Sequence, residues 1–227
     1  MSAVEKDGLT EAVRRRALEA GADLVGFADL GGVDEFPRAV VIAMRHSPEV
    51  VADPEEMPNE AYHAEYLALN ARLDEAAAAV VELLRGAGYR ARANPATVDE
   101  VGPDKLSAPF SHKMAATCAG LGWVGRSALL VTWEYGPRVR LVSVMTEAPL
   151  AVGTPVTRSE CEDCTACVEA CPGGAIKKEH WYAGRPREEF YDALACYRTA
   201  AARAGSRGMK ETVCGVCMAV CPKGREG

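Results

Sequence analysis

The sequence has no long apolar run. Its longest clean hydrophobic stretch, residues 76–81, is bounded by Glu75 and Glu82 and falls far short of the roughly 20 residues that a membrane-spanning helix needs. Residues 1–16 are charged and helix-like, without the apolar segment of a secretory leader. A cytoplasmic protein with no membrane partner is expected. A basic excess is also missing: 26 Lys and Arg stand against 32 Asp and Glu, a net charge of −6, so nothing draws the chain to polyanions in general. At 227 residues and 48% hydrophobic composition, there is enough chain for one sizeable core and a smaller appendage.

What is abundant is cysteine, and it is patterned. Eight of the nine cysteines fall in two runs, Cys161-x2-Cys164-x2-Cys167-x3-Cys171-Pro172 and Cys196-x17-Cys214-x2-Cys217-x3-Cys221-Pro222. Three thiols at two-residue intervals let one loop wrap a single [4Fe-4S] cluster, while the fourth, three residues on and followed by proline, ligates a neighbouring cluster. The spacing therefore predicts two crossed clusters. Cys161, Cys164, Cys167 and Cys221 would hold one, and Cys171, Cys196, Cys214 and Cys217 the other. An insertion carrying Arg198, Arg203 and Arg207 displaces the first thiol of the second run. A pair of structural zinc sites is the rival reading, since these too use CxxC pairs. Disulfides require an oxidising compartment that nothing in the N-terminal sequence suggests.

The rest of the chain mixes helices and strands. Thr10 reads as the N-cap of a helix over 11–20 that stops at Gly21. Short strands are expected over 23–28 and 39–44, followed by a proline-bearing loop over 45–58. Alanine and leucine recur at helical spacing over 60–85. A strand is expected at 89–93 and a helix over 111–119. Residues 128–132 and 139–146 read as a hairpin joined through 133–137. Without strict strand–helix alternation, this order favours a layered α+β domain over a doubly wound sheet. The expected division is a cofactor-binding domain at 1–150 and a two-cluster, bacterial ferredoxin-like domain at 151–227, joined by the small-residue connection 151–155.

Gly120, Leu121, Gly122, Trp123, Val124 and Gly125 spell the GxGxxG dinucleotide pattern, but that pattern should follow a strand and open a helix. Here it follows a helix and leads to a strand. Two readings stay open: a backbone approached closely by a flat cofactor, and a tight structural turn.

With Ala119 before them, these residues carry a resemblance, together with the strand 23–28, the Ala61-Tyr62-His63 start of the long helix, Val98-Asp99 and both cysteine runs. The chain resembles the epoxyqueuosine reductase family and, more remotely, reductive dehalogenases. The resemblance implies a nitroreductase-like layered domain that holds cobalamin without a protein histidine beneath cobalt. The lack of an Asp-x-His-x-x-Gly segment agrees with this. FMN is the alternative cofactor for such a layer. The family's tRNA-modifying members continue into helical repeats, whereas this sequence stops at Gly227, so tRNA is not the expected partner.

Asp99 is the candidate proton donor, because reduction needs an acid near the reacting atom; the plain alternative is a solvated loop carboxylate. His112 and Lys113 are candidate contacts to a cofactor phosphate or an anionic substrate. Tyr62 and His63 are pocket candidates, and Cys118 reads as a small buried hydrophobe. The function expected is an iron–sulfur oxidoreductase that passes electrons from two clusters to a cobalamin-type cofactor, reducing a small or nucleoside-like substrate. A ferredoxin or flavodoxin would supply the electrons. Two alternatives remain: a flavin-dependent reductase of the same fold, and an electron-transfer or cobalamin-handling protein without its own substrate. A homodimer is compatible with the nitroreductase-like layer.

Overall fold

The structure, a computed structural model, describes residues 3–32, 35–98, 106–108 and 110–224. Asp99 lies outside the described residues. Four antiparallel strands form the central sheet in the order β1-β2-β6-β3: β1 is Leu24–Asp29, β2 Arg38–Arg45, β3 Ala91–Asn94 and β6 Val139–Thr146. In β2, Val40, Ile42 and Met44 point into one apolar cluster and Ala39, Val41 and Ala43 into another, all of them buried. Because alternate side chains leave opposite faces of a strand, the continuous apolar run of β2 means that both faces are covered.

Helices α1 (Ala3–Glu19) and α2 (Glu60–Gly86) cover one face. The second face is closed by α3, His112–Cys118, whose Ala115 and Ala116 are fully buried. A mixed α+β architecture follows, with the sheet as its middle layer. The long helix starts where the Asn59 side chain accepts the Tyr62 N–H at 2.7 Å. It then buries Leu69, Leu73, Ala76, Ala77, Val80 and Leu84 on the face toward the sheet, the three-and-four spacing of an amphipathic helix.

Two local expectations change. Thr10 is inside α1, not before it: its hydroxyl donates to the Lys6 carbonyl and accepts the Ala151 N–H at 2.9 Å. A threonine can satisfy itself on the preceding turn as well as cap one. The expected hairpin also fails to form. Strand β5, Leu130–Thr132, pairs with β4, Gly122–Val124, while β6 joins the main sheet between β2 and β3. A tight turn from Thr132 to Gly136 redirects the chain from the small sheet to the large one.

Residues 151–224 form an arm strapped to this domain. Gly153 donates its N–H to the Phe27 carbonyl and Val156 to that of Thr117. Among its described residues the arm carries four helices, α4 (Ala166–Ala170), α5 (Arg187–Phe190), α6 (Ala193–Gly205) and α7 (Val216–Ala219). The insertion before Cys214 is α6, and its Arg203 reaches back to the Met57 carbonyl at the foot of α2. Among the described residues, no helix is long and apolar enough to cross a membrane.

Candidate functional site

The two cysteine runs meet in the arm. Cys167 is in α4 and Cys171 just past it, Cys196 is in α6, and Cys217 is in α7 between Cys214 and Cys221. Their thiols surround two voids. Cys161, Cys164, Cys167 and Cys221 border the first, beside Gly125, Arg126 and Ser127. Cys171, Cys196 and Cys214 border the second, and Cys217 faces both. All nine cysteines are partly buried and none is in a disulfide. Burial pushes the Cys167 thiol up to about 11, with the neighbouring Cys161, Cys221 and Cys164 adding to it. Cys217 is raised as well, by burial and then by Cys196 and Cys214. Thiolates this crowded and this dry are costly unless a cationic centre shares the space, so the donor set fits an iron–sulfur cluster at each void.

Several bonds fix the sulfurs and their loops. The Ala175 N–H donates to Cys171 Sγ and the Trp123 indole N–H to Cys161 Sγ, both at 3.4 Å. Arg126 donates to the Glu162 carbonyl at 2.8 Å and to His180 Nε2 at 2.7 Å. Arg138, buried just before β6, donates to the carbonyls of Met218, Cys221 and Lys223. Neither arginine was a sequence candidate. Arg138 and Arg140 bracket Val139 at the start of the apolar run of β6, and that was the signal available.

A cavity of about 910 Å³ lies between α3, β6 and the arm, within the size range of cofactor sites. His112, Lys113 and Cys118 line it from α3, and Trp181, Arg187 and Phe190 from the arm. Tyr62, Leu129, Arg140 and Met218 line both this cavity and the void of Cys171, Cys196 and Cys214. The large cavity and the second thiol void therefore share a wall.

Tyr62 holds its phenolic proton firmly, because burial raises its pKa and the nearby Cys217 and Cys214 add to the rise against the opposing pull of Arg140. Behind it, 5.2 Å from ring to ring, lies the buried His46. His46 Nδ1 donates to Glu65 at 2.7 Å, and a carboxylate can only accept, so the proton belongs on Nδ1. Burial lowers the pKa of His46 against the pull of Glu65. Burial would raise Glu65, but hydrogen bonds from Ser47 and His46 outweigh it and hold the carboxylate low. Arg140 stacks over the Tyr66 ring at 4.4 Å and donates to Asn70 Oδ1 at 3.0 Å.

Both α3 candidates face the cavity but are already engaged. His112 Nε2 donates to the Pro95 carbonyl at 3.0 Å and its Nδ1 accepts from the Ser143 hydroxyl at 2.9 Å. Burial lowers its pKa, so the ring is neutral. Lys113 Nζ donates to the Ala128 carbonyl at 2.5 Å, and burial first, then Arg187, bring it down to about 8. His63 faces away, paired with Glu211 at 2.5 Å. Cys118 is half-buried on the cavity wall, not sealed in the core, and burial raises its thiol.

The glycine motif sits elsewhere. Of its six residues, only Val124 lines the large cavity. A side chain on Gly120 (φ +78°) would meet the Thr154 carbonyl at 2.7 Å, and one on Gly122 would collide with the Val131 carbonyl. Leu121 fills the space left by Gly26. The glycines admit the protein's own backbone, which favours the tight-turn reading over the flat-cofactor one. Gly125 borders the first thiol void.

Residues 160–224 match the 4Fe-4S double cluster binding domain family. The chain is similar to the epoxyqueuosine reductase of Cyclobacterium marinum, with 31% identity over 122 residues covering 52% of this chain and 38% of that protein. A reductive dehalogenase whose structure is described as suggesting a mechanism for B12-dependent dehalogenation shares the fold at a TM-score of 0.73 and 23% identity, over 96% of this chain and 32% of that one. An epoxyqueuosine reductase in complex with a modified tRNA-Tyr stem loop shares it at a TM-score of 0.61 and 19% identity, over 96% and 66%. The chain spans from about a fifth to two fifths of the length of the curated relatives it matches. The expectation against tRNA is not borne out, since one of these neighbours holds a tRNA stem loop.

Proposed function

We propose that this chain is an iron–sulfur oxidoreductase in which two [4Fe-4S] clusters deliver electrons to a cobalamin-type cofactor in the large cavity, for reduction of a small or nucleoside-like substrate. Cys161, Cys164, Cys167 and Cys221 hold one cluster, and Cys171, Cys196, Cys214 and Cys217 the other. The observation that carries this reading is the shared wall: Tyr62, Leu129, Arg140 and Met218 border both the second thiol void and the cavity. An electron leaving the second cluster has only side chains to cross before it reaches whatever the cavity holds.

The corrinoid, when bound, supplies the reducing metal centre. The chain's own residues do the rest. Lys113, Val124 and Met218 shape the container, and the neutral His112 braces α3 against Pro95 and Ser143. Tyr62 keeps a proton at the cavity wall. Asp99 is retained as a proposed acid, placed by sequence alone. Residues 1–150 form the nitroreductase-like holder and 151–227 the electron-transfer arm. A ferredoxin or flavodoxin is the proposed donor. Substrates like those of the relatives, tRNA included, belong to the same proposal.

Anaerobic reconstitution with iron and sulfide, followed by titration with cobalamin, tests the reading. About eight irons per chain, the content of two cubane clusters, and a corrinoid spectrum that survives gel filtration are expected. Zinc in place of iron, or no retained corrinoid, overturns it. A yellow chromophore released on denaturation would put FMN in the cavity instead.

A further inference from the structure

The Trp123 side chain is only 2% exposed, and its indole N–H points at Cys161 Sγ from 3.4 Å. An indole nitrogen donates and cannot accept, so this bond has one direction. Trp123 is held there on two sides. Its neighbour in the ladder, Val131, is fixed by the β4–β5 pairing. The Trp133 ring lies 4.7 Å away at 59° and is itself pinned by donation to the Gly120 carbonyl at 3.2 Å. Gly125 keeps this packing close, since a side chain there would meet Cγ2 of Val131, the residue paired with Trp123, at 2.8 Å.

Resting on the two-cluster reading above, we propose that Trp123 is a positioning residue that sets the reduction potential of the cluster ligated by Cys161. A reduced cluster carries one more negative charge than an oxidised one, and part of that charge resides on its sulfurs. A donor aimed at a ligand sulfur in a dry site stabilises the reduced form more than the oxidised form. Hydrogen bonds to sulfur are among the recognised determinants of cluster potential. Among the described residues, the first void is also the one without a wall in common with the large cavity. The cluster at Cys161 is thus the upstream one, and the bond makes it easier for a donor to reduce. On this account the glycine turn serves the iron–sulfur arm: Gly120 and Gly122 let the hairpin fold closely enough to bring the indole to the thiolate.

The test is an EPR-monitored redox titration of both clusters in reconstituted wild type and Trp123→Phe, with iron and sulfide measured on each sample. The variant should move one cluster potential to more negative values and leave the other unchanged. A tenfold change in the reduction equilibrium, 59 mV for a one-electron couple, is the expected scale. Two unchanged potentials in a fully loaded variant overturn the inference. Should the variant lose its cluster, pulsed EPR of reduced wild type carrying indole-15N tryptophan decides: a hyperfine coupling to that nitrogen supports the bond, and its absence overturns it. A wild type that takes up no iron and sulfide overturns the cluster reading itself, which distinguishes the two failures.

Discussion

Arg138, the residue that leads into strand β6, donates to the Cys221 carbonyl at 3.0 Å, tying the cluster arm to the central sheet through a residue whose thiol borders the first void. The same guanidinium also reaches the Met218 and Lys223 carbonyls, so one side chain satisfies the C-terminal end of α7 and the loop beyond it. Arg138→Met should leave three carbonyls without this donor. Hydrogen bonds to charged groups contribute about 1.5–3 kcal/mol each before solvent replaces them. The expected result is a lower denaturation midpoint for the reconstituted protein and faster loss of iron to a chelator. An unchanged midpoint and unchanged iron retention would remove Arg138 from this role.

The crossed ligation makes its own forecast. Cys171 is in the first run but borders the void of Cys196 and Cys214, while Cys221 is in the second run but borders the void of Cys161. Cys171→Ser and Cys161→Ser should therefore perturb different clusters, distinguishable by EPR and potential. Cys221→Ser should share its affected cluster with Cys161→Ser. If Cys171→Ser and Cys161→Ser affect the same cluster, the crossing is wrong. Cys118→Ala should retain both clusters.

Acidification should weaken the fold through His46. Its folded-state pKa is depressed, so below about 6.5, the ordinary imidazole value, the unfolded chain binds a proton that the native one does not. Stability then falls as pH drops. Glu65, also depressed in the folded state, adds a further loss of the same sign below about 4.3, the ordinary value for Glu. Chemical denaturation of the holoprotein between pH 7 and pH 5 checks the first step. His46→Gln keeps a donor for Glu65 and removes the titration, so its profile should be flatter; a slope equal to wild type rules out His46.

Tyr62→Phe isolates the proton at the cavity wall. The ring and its packing stay, and cluster content and potentials should match wild type. If the phenol is the acid, turnover of whichever candidate substrate wild type reduces should fall by roughly 10²–10⁴-fold, the usual contribution of general acid catalysis. Equal turnover would return the role to another group, Asp99 being the sequence candidate.

Covalent spacing made the cysteines legible, because ligands two and three residues apart have little freedom in where they meet. The α2 helix was legible for a similar reason, as its cap and its apolar face are both local. What escaped was decided by contacts distant in sequence. Thr10 was a good cap until Ala151 supplied a better use for its hydroxyl. The segments 128–132 and 139–146 alternate like a hairpin, but the partner that β5 chose, β4, was hidden inside a glycine motif. Arg138 and Arg140 could be noticed in the string, yet their partners lie about 80 residues ahead and 70 residues behind.

Trp181, Arg187 and Phe190 reach the large cavity from the same arm that bears the thiols. A newly made chain whose arm is still unformed would have only half of that cavity's wall. On the proposed reading, assembly would be ordered, with the arm folded around its thiols before a bulky organic group could be held.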